Sequence, residues 1–524
     1  MNRPYRFLRL ACFLLSAVIF TLSSAAQVIS SEEIDKLVLR TMETFDVPGI
    51  AVAVVKDDKV IHSRGYGVSS LNTKRKVDPN TLFGIASNSK AFTAAALGML
   101  VDEKKLDWND RVTDIIPEFC LYDPYVTREF TVADLLTHRS GLGLGAGDLM
   151  IWPGRNDFKL DDIIHNLRYL KPVSSFRTKY DYDNLLYIVA GEVVARISGM
   201  SWNDFIEKRI MEPLGMTGSA STYSRLSDRT NVIDPHAPVN GKVQVIGRNF
   251  NEVADAAAGI YSNISDMSKW IIMQMNHGRY GEGQGKQLFS EAIHRTMWSP
   301  HTIIQVRESA EYKTHFASYG LGWRLNDIMG YKQVGHTGGL GGIVTQVTLI
   351  PEIKLGIIVF TNQQSGAAFR AITNTILDSW FGIKGADRVK QYSEAEKKDF
   401  ADAKAITDDI WKNIESQKLS SFRTDNSVYT GTYTDDWFGT VTVTERDGKL
   451  WFASERSIDL TGEMFFFRGN TFIVKWNDRS LDADAYVMFC LDNTGKANGM
   501  TMEAISPLTD FSYDFQDLDF SRYK

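Results

Sequence analysis

Residues 87–103 read SNSKAFTAAALGMLVDE, and the rest of the chain is interpreted outward from them. Phe92, Ala94, Ala95, Ala96, Leu97, Met99 and Leu100 surround the helical circumference with apolar side chains. The stretch therefore predicts a helix buried inside its domain, not one lying on a surface. Ser87 and Lys90 open it. Three residues apart, they fall on one helix face, a single turn from each other. A serine hydroxyl is a weak nucleophile that needs a base within reach. Burial disfavours an ammonium, so Lys90 can serve as a neutral base. The helix start also directs backbone N–H groups at a developing oxyanion. The plainer reading is strong for this motif alone: Ser-x-x-Lys arises by chance, and Ser is a common helix N-cap.

Two further stretches carry polar groups suited to the same chemistry. Tyr182-Asp183-Asn184 precedes a second apolar helical run, Leu185 to Ile197, which Ser198-Gly199 ends. A phenol beside an ammonium can act as base or relay, and an amide beside it can bind the substrate amide and orient the lysine. Tyr261-Ser262-Asn263 repeats the pattern and is a rival. His336-Thr337-Gly338-Gly339 suits a strand edge lining a cleft, where glycine allows close backbone approach. The bland alternative is a flexible Gly-rich loop from Gly335 to Gly342.

The 524 residues favour two domains over one core. With 44% hydrophobic residues and a net charge of −6, the chain reads as globular, without the basic run that tracks a phosphate backbone. Nucleic acid is therefore excluded as a partner. Arg3, Arg6 and Arg9, the apolar run Leu10–Leu22 and small residues at Ser24, Ala25 and Ala26 form a signal-peptide pattern over residues 1–26. The protein is expected to be exported, periplasmic or secreted, with no stable membrane insertion after cleavage. An uncleaved anchor is the alternative. Cys12 lies at the start of the apolar run, the wrong end for a lipoprotein box. Cys120 and Cys490 remain, read as buried thiols with no disulfide predicted. No metal-ligand spacing occurs, and neither metal nor cofactor is expected.

Between residues 30 and 385 helical and strand patterns alternate. Ile50–Val60 reads as a strand leading to a turn at Asp57-Asp58, with Ile61–Tyr66 as hairpin partner, and Gln346–Thr361 as two strands. Strands at both ends with helices between predict an α+β domain whose sheet joins its N- and C-terminal parts. Residues 386–425 are charged with spaced apolar positions and read as a helical linker. Residues 426–524 carry short β-branched and aromatic runs such as TVTVTERDGKLWF and AYVMFC, predicting an all-β barrel.

Together, in this order, the motifs resemble the serine β-lactamase and penicillin-binding-protein superfamily. The likeness is greatest to the class C branch and its esterase and peptidase S12-like relatives, and covers roughly Ile34 to Trp380. Leu135-Leu136-Thr137-His138-Arg139-Ser140-Gly141-Leu142, Glu212-Pro213-Leu214-Gly215-Met216 and Tyr319-Gly320-Leu321-Gly322-Trp323 support it. The resemblance implies a β-lactamase/transpeptidase-like domain, an antiparallel sheet flanked by helices, acting as a serine hydrolase on short peptides, including D-residue peptides, or small esters. Ser87 would be acylated, and Lys90 and Tyr182 would move the proton. Asn184, His336, Thr337, Gly338 and Gly339 would line the substrate site, with the N–H groups of Ser87 and Gly339 as oxyanion hole. Tyr182 is preferred to Tyr261 because family members place this element just before an apolar helix.

His336 departs from the lysine of many β-lactamases, which weighs against efficient β-lactam hydrolysis. A β-lactamase or D,D-carboxypeptidase is the alternative activity, and a catalytically silent binding protein the alternative of another class. The absence of Gly-x-Ser-x-Gly disfavours an α/β-hydrolase. The C-terminal region resembles the lipocalin-like barrel of some peptidase relatives, which implies homo-oligomer assembly, with gating or plain packing as other roles.

Overall fold

The computed structural model describes residues 28–248, 250–306, 312–418 and 425–523. The expected export segment, 1–26, and Cys12 lie outside them.

An eight-stranded antiparallel sheet organises the first domain. Its strands are β1 (Gly49–Lys56), β2 (Lys59–Gly67), β3 (Thr302–Ile304), β4 (Ala317–Tyr319), β5 (Arg324–Ile328), β6 (Tyr331–Leu340), β7 (Ile343–Ile350) and β8 (Leu355–Thr361), in the order β2-β1-β8-β7-β6-β5-β4-β3. β1 pairs β8 along its length, Ile50 with Thr361 through Lys56 with Leu355, so the two ends of the domain meet in one sheet, as the sequence implies. The sheet is covered on both faces. Ile50, Val52 and Val54 point to a core shared with helices α1 (Ser31–Thr44) and α5 (Gly366–Phe381). Ala51, Ala53 and Val55 alternate to the opposite core, which contains α2 (Ser89–Asp102), α3 (Leu185–Ser198) and α4 (Ile264–Met275). That two-sided burial explains why β1 reads as an unbroken apolar run, IAVAVV, without alternation.

Helix α2 is the buried helix its composition predicts, every residue from Ser89 to Leu100 being buried. Phe92 stacks on Trp270 of α4 with centroids 3.8 Å apart. The rival Tyr261 has a structural task. Tyr261–Ser262 pairs with Phe83–Gly84 as a two-residue ribbon, and the Asn263 side chain caps α4 by accepting from the Asp266 N–H at 2.8 Å.

The expected linker is one 31-residue helix, α6 (Arg388–Lys418), docked at both ends. Arg388 pairs with buried Asp378 of α5 at 2.7 Å, while Ile410 and Ile414 pack on Phe467, Ile473 and Ile505. Residues 419–424 of the expected linker fall outside the described residues. A closed eight-stranded barrel follows, β9 (Gly431–Asp435) to β16 (Asp519–Arg522) in sequential order. Its interior is packed by Tyr433, Phe452, Phe472, Trp476, Phe489 and Met500 among others. Cys120 is half-buried and Cys490 exposed, unlike the buried pair expected, and both are free thiols.

The barrel is clamped to residues 147–166 of the first domain. Arg456 reaches Asp157 and Asp162, each at 2.7 Å, Arg155 pairs with Asp459, and the Asn166 side chain donates to the Trp437 carbonyl at 2.8 Å.

Candidate active site

Ser87 lies in a single 3₁₀ turn, Ala86–Asn88, that leads into α2. The turn is conformationally costly: Ala86 adopts φ 51°, a left-handed value rare for a residue with a Cβ. Neighbours hold it there. The Asn88 side chain donates to the Ile85 carbonyl at 3.1 Å and to Thr345 Oγ1 on β7 at 2.9 Å. The Ser89 hydroxyl accepts from the Ile260 N–H at 3.1 Å. Ser87 is the one half-buried residue in a run that is otherwise buried from Thr81 to Leu100. The fold thus exposes this hydroxyl and little else of the segment.

Lys90 is fully buried behind it. Its Nζ lies 3.1 Å from Ser87 Oγ, 2.7 Å from Asn184 Oδ1 and 3.1 Å from the Ala257 carbonyl. Asn184 Oδ1 and the Ala257 carbonyl can only accept. A neutral lysine, with two N–H groups and one lone pair, must spend both protons on them, so its lone pair faces the Ser87 hydroxyl. Burial pushes the Lys90 ammonium down to about 7, although Asp148 and Asp183 pull it upward. The arrangement therefore presents a base to Ser87 near neutrality.

Tyr182 stands across from this pair, its ring centroid 4.8 Å from Lys90 Nζ. Its buried hydroxyl is near enough to Ser87 to be influenced by it, yet no protein atom meets it in full hydrogen-bond geometry. Burial drives the phenol well above its ordinary range, the Ser87 hydroxyl offsetting part of the effect. Tyr182 thus stays protonated at neutral pH. Of the two bases the sequence leaves open, Lys90 fits, and Tyr182 is left as proton donor or relay. His138 packs against Tyr182 at 4.3 Å between centroids and accepts from the Asp183 N–H at 3.1 Å.

The third stretch forms the end of β6. Beyond Gly335, which is opposite Arg324, no register partner on the β5 side occurs among the described residues, so that edge of His336–Leu340 opens toward the cleft. A Cβ at Gly338 would lie 2.3 Å from the Ile85 carbonyl oxygen, whereas one at Gly339 would meet nothing within 4 Å. Glycine at 338 is what lets β6 lie against the Ser87 turn. Thr337 and Gly339 are exposed at the cleft wall.

Two of these residues have partners that define what they offer the cleft. His336 lines the cleft, as expected, and does so as a buried neutral ring. Its Nδ1–H donates to the Thr337 carbonyl at 2.5 Å and its Nε2 accepts from Tyr319 at 2.8 Å, and burial beside Lys90 lowers it to about 3. Asn184, expected to bind the substrate amide and orient the lysine, holds Lys90 by Oδ1 and donates from Nδ2 to Asp148 Oδ2 at 2.7 Å.

Asp148 is a site residue that the sequence reading passed over. It is fully buried, and burial pushes its carboxyl up to about 8. Arg324 was missed too. It is exposed on β5, lines the cleft and bears on His336. The cleft encloses about 890 Å³, within the size range of small-ligand pockets.

Comparison with known proteins bears on the family and the fold. The family model described as Beta-lactamase matches residues 34–379. The chain belongs to the beta-lactamase family. A second model, a domain of unknown function (DUF3471), matches residues 425–522, the barrel. Among its relatives, unguisins hydrolase ungD' of Aspergillus campestris is 30% identical over 396 residues, 70% of this chain and 69% of that one. Unguisins hydrolase ungD of Aspergillus violaceofuscus is 27% identical, covering 80% and 77%. Protein flp of Staphylococcus aureus is 26% identical, covering 64% of each. The structure of the octameric penicillin-binding protein homologue from Pyrococcus abyssi superposes with a TM-score of 0.60 at 20% identity, over 94% of this chain and 100% of that one. That likeness concerns the fold, barrel included. Family and named relatives together make this beta-lactamase-family chain a hydrolase.

Proposed function

We propose that the protein is a serine hydrolase that forms an acyl-enzyme at Ser87 and acts on short peptides, D-residue peptides among them, or on small esters. The observation that carries this reading is the 3.1 Å contact between a cleft-exposed serine and a fully buried lysine lowered to about 7. Ser87 Oγ attacks the substrate carbonyl as Lys90 takes its proton. The leaving group departs with a proton delivered by way of Tyr182. Water, deprotonated by the same pair, then cleaves the ester at Ser87. The open edge of β6 supports a peptide substrate, because an extended backbone can pair there as an added strand. The names of the two unguisins hydrolases support hydrolysis in general.

A second reading is favoured by Arg324. Its guanidinium supplies to the cleft the positive charge that neutral His336 does not. This keeps carboxypeptidase or β-lactamase action in view, since those substrates carry a carboxylate.

Labelling with a fluorophosphonate, located by peptide mass spectrometry, tests the core of the proposal. Wild type should be labelled at Ser87 and Ser87→Ala left blank; a folded wild type that resists every acylating probe would overturn it in favour of a binding protein. A panel of D- and L-aminoacyl anilides, p-nitrophenyl esters and nitrocefin then separates the substrate classes.

A further inference from the structure

The barrel reaches the lysine through side chains of its own. Ser512 donates from Oγ to Asp148 Oδ2 at 2.9 Å, although 364 positions separate the two in sequence. Asn184 Nδ2 donates to the same oxygen, and Asn184 Oδ1 holds Lys90. Asp514, also fully buried, accepts the backbone N–H groups on either side of Asp148, from Gly147 at 2.6 Å and Leu149 at 3.0 Å. The barrel therefore grips Asp148 by its side chain and by its flanking peptides. Next to these contacts Phe511 lies edge-on to the Tyr182 ring, 5.8 Å between centroids, and forms part of the cleft wall. Backbone packing is close here too: a Cβ at Gly145 would stand 2.6 Å from the Phe511 carbonyl oxygen.

We propose that barrel residues Phe511–Asp514 complete the active site of their own chain. Ser512 is a positioning residue that sets Lys90 through Asp148 and Asn184, and Phe511 sets the acyl groups that the cleft admits. The inference rests on Ser87 being the acylated nucleophile. An interdomain contact serving only to dock the barrel could use any surface; this one ends on the amide that fixes the base.

The charged and titratable groups around the chain of contacts determine the sign of its effect. Asp148 faces Lys90, Asp183, Asp514 and the Tyr182 phenol, and Lys90 also faces His138 and His336. Removing the Ser512 hydroxyl takes a donor from Asp148, whose carboxyl, already raised by burial, then holds its proton more tightly still, so that less of it is ionised where Lys90 titrates. Lys90 loses part of the negative field that favours its ammonium and releases its own proton at lower pH.

The test is the rate of Ser87 labelling by an alkyl fluorophosphonate, followed against pH in the full-length protein. In Ser512→Ala the acid limb should move down by about half a pH unit and the plateau rate should fall about tenfold, the size of one hydrogen bond to a charged group. Ser512→Thr, which keeps the hydroxyl, should behave as wild type. Phe511 is 39% exposed, so Phe511→Ala should fold, as far-UV circular dichroism would check, and it should narrow the difference between short-chain and long-chain fluorophosphonates. A folded Ser512→Ala with the wild-type limb and plateau overturns the inference, as does an unchanged chain-length preference in Phe511→Ala. If wild type itself is not labelled at Ser87, it is the proposed function that falls.

Discussion

A methyl group at Gly338 would stand 2.3 Å from the carbonyl oxygen of Ile85, and this approach sets the spacing between β6 and the Ala86–Asn88 turn that carries Ser87. Gly338→Ala must push β6 away from Ala86–Asn88. Overpacking of that kind costs about 1–3 kcal/mol, so thermal unfolding should occur at lower temperature and Ser87 labelling should slow at least about tenfold. Gly339→Ala, with open space for its methyl, should melt with wild type while changing substrate preference. Equal melting of wild type and Gly338→Ala would refute the packing argument.

Hydrolysis should depend on pH through Lys90. The base works when neutral, and burial brings it to about 7. kcat/KM should therefore rise as pH increases through about 7 and then level off. Asp148 and Asp183 titrate in the same region, so the limb belongs to the cluster rather than to one residue. A rate that is flat from pH 5 to 9 would remove Lys90 as the base.

Tyr182→Phe separates proton delivery from nucleophile activation. Among the described residues the hydroxyl meets no partner in full hydrogen-bond geometry, so stability should be little changed. Anilides, whose leaving group needs a proton, should slow by about 10²-fold or more, and p-nitrophenyl esters much less. Equal losses on both substrates would place Tyr182 on the activation step.

Arg324 stands in the cleft where neutral His336 offers no charge. Arg324→Ala should weaken substrates with a free carboxylate about tenfold relative to their amides, as expected for a lost charge-assisted hydrogen bond. Comparing kcat/KM for matched acid and amide peptides checks this; an unchanged ratio would leave the carboxypeptidase reading without its cation.

Much of this site was legible because its residues sit beside strong periodic signals. Ser87 and Lys90 open an apolar helix, and Tyr182 and Asn184 immediately precede another, so position followed from the helices. The further partners of His336 and Asn184, Tyr319 and Asp148, were not legible, since they come from distant segments. Asp148 sits in Gly145-Ala146-Gly147-Asp148, which reads as an ordinary turn. Arg324 gave no signal before β5 was placed next to β6. Ser512 and Asp514 were hidden most deeply, because nothing in a strand pattern says which barrel loop will face another domain. That α6 docks at both ends was not legible, since a charged helical pattern does not say what its apolar positions will meet.

That docked helix has a mechanical consequence. α6 is a rigid rod joining α5 to the barrel, and each residue of an α-helix turns about 100° around its axis. A single insertion midway along it would swing the barrel out of phase with residues 147–166 and carry Phe511 off the cleft, with both domains still intact. The reading frame of one exposed helix, far from any reacting atom, thus keeps the catalytic pocket closed on its C-terminal side.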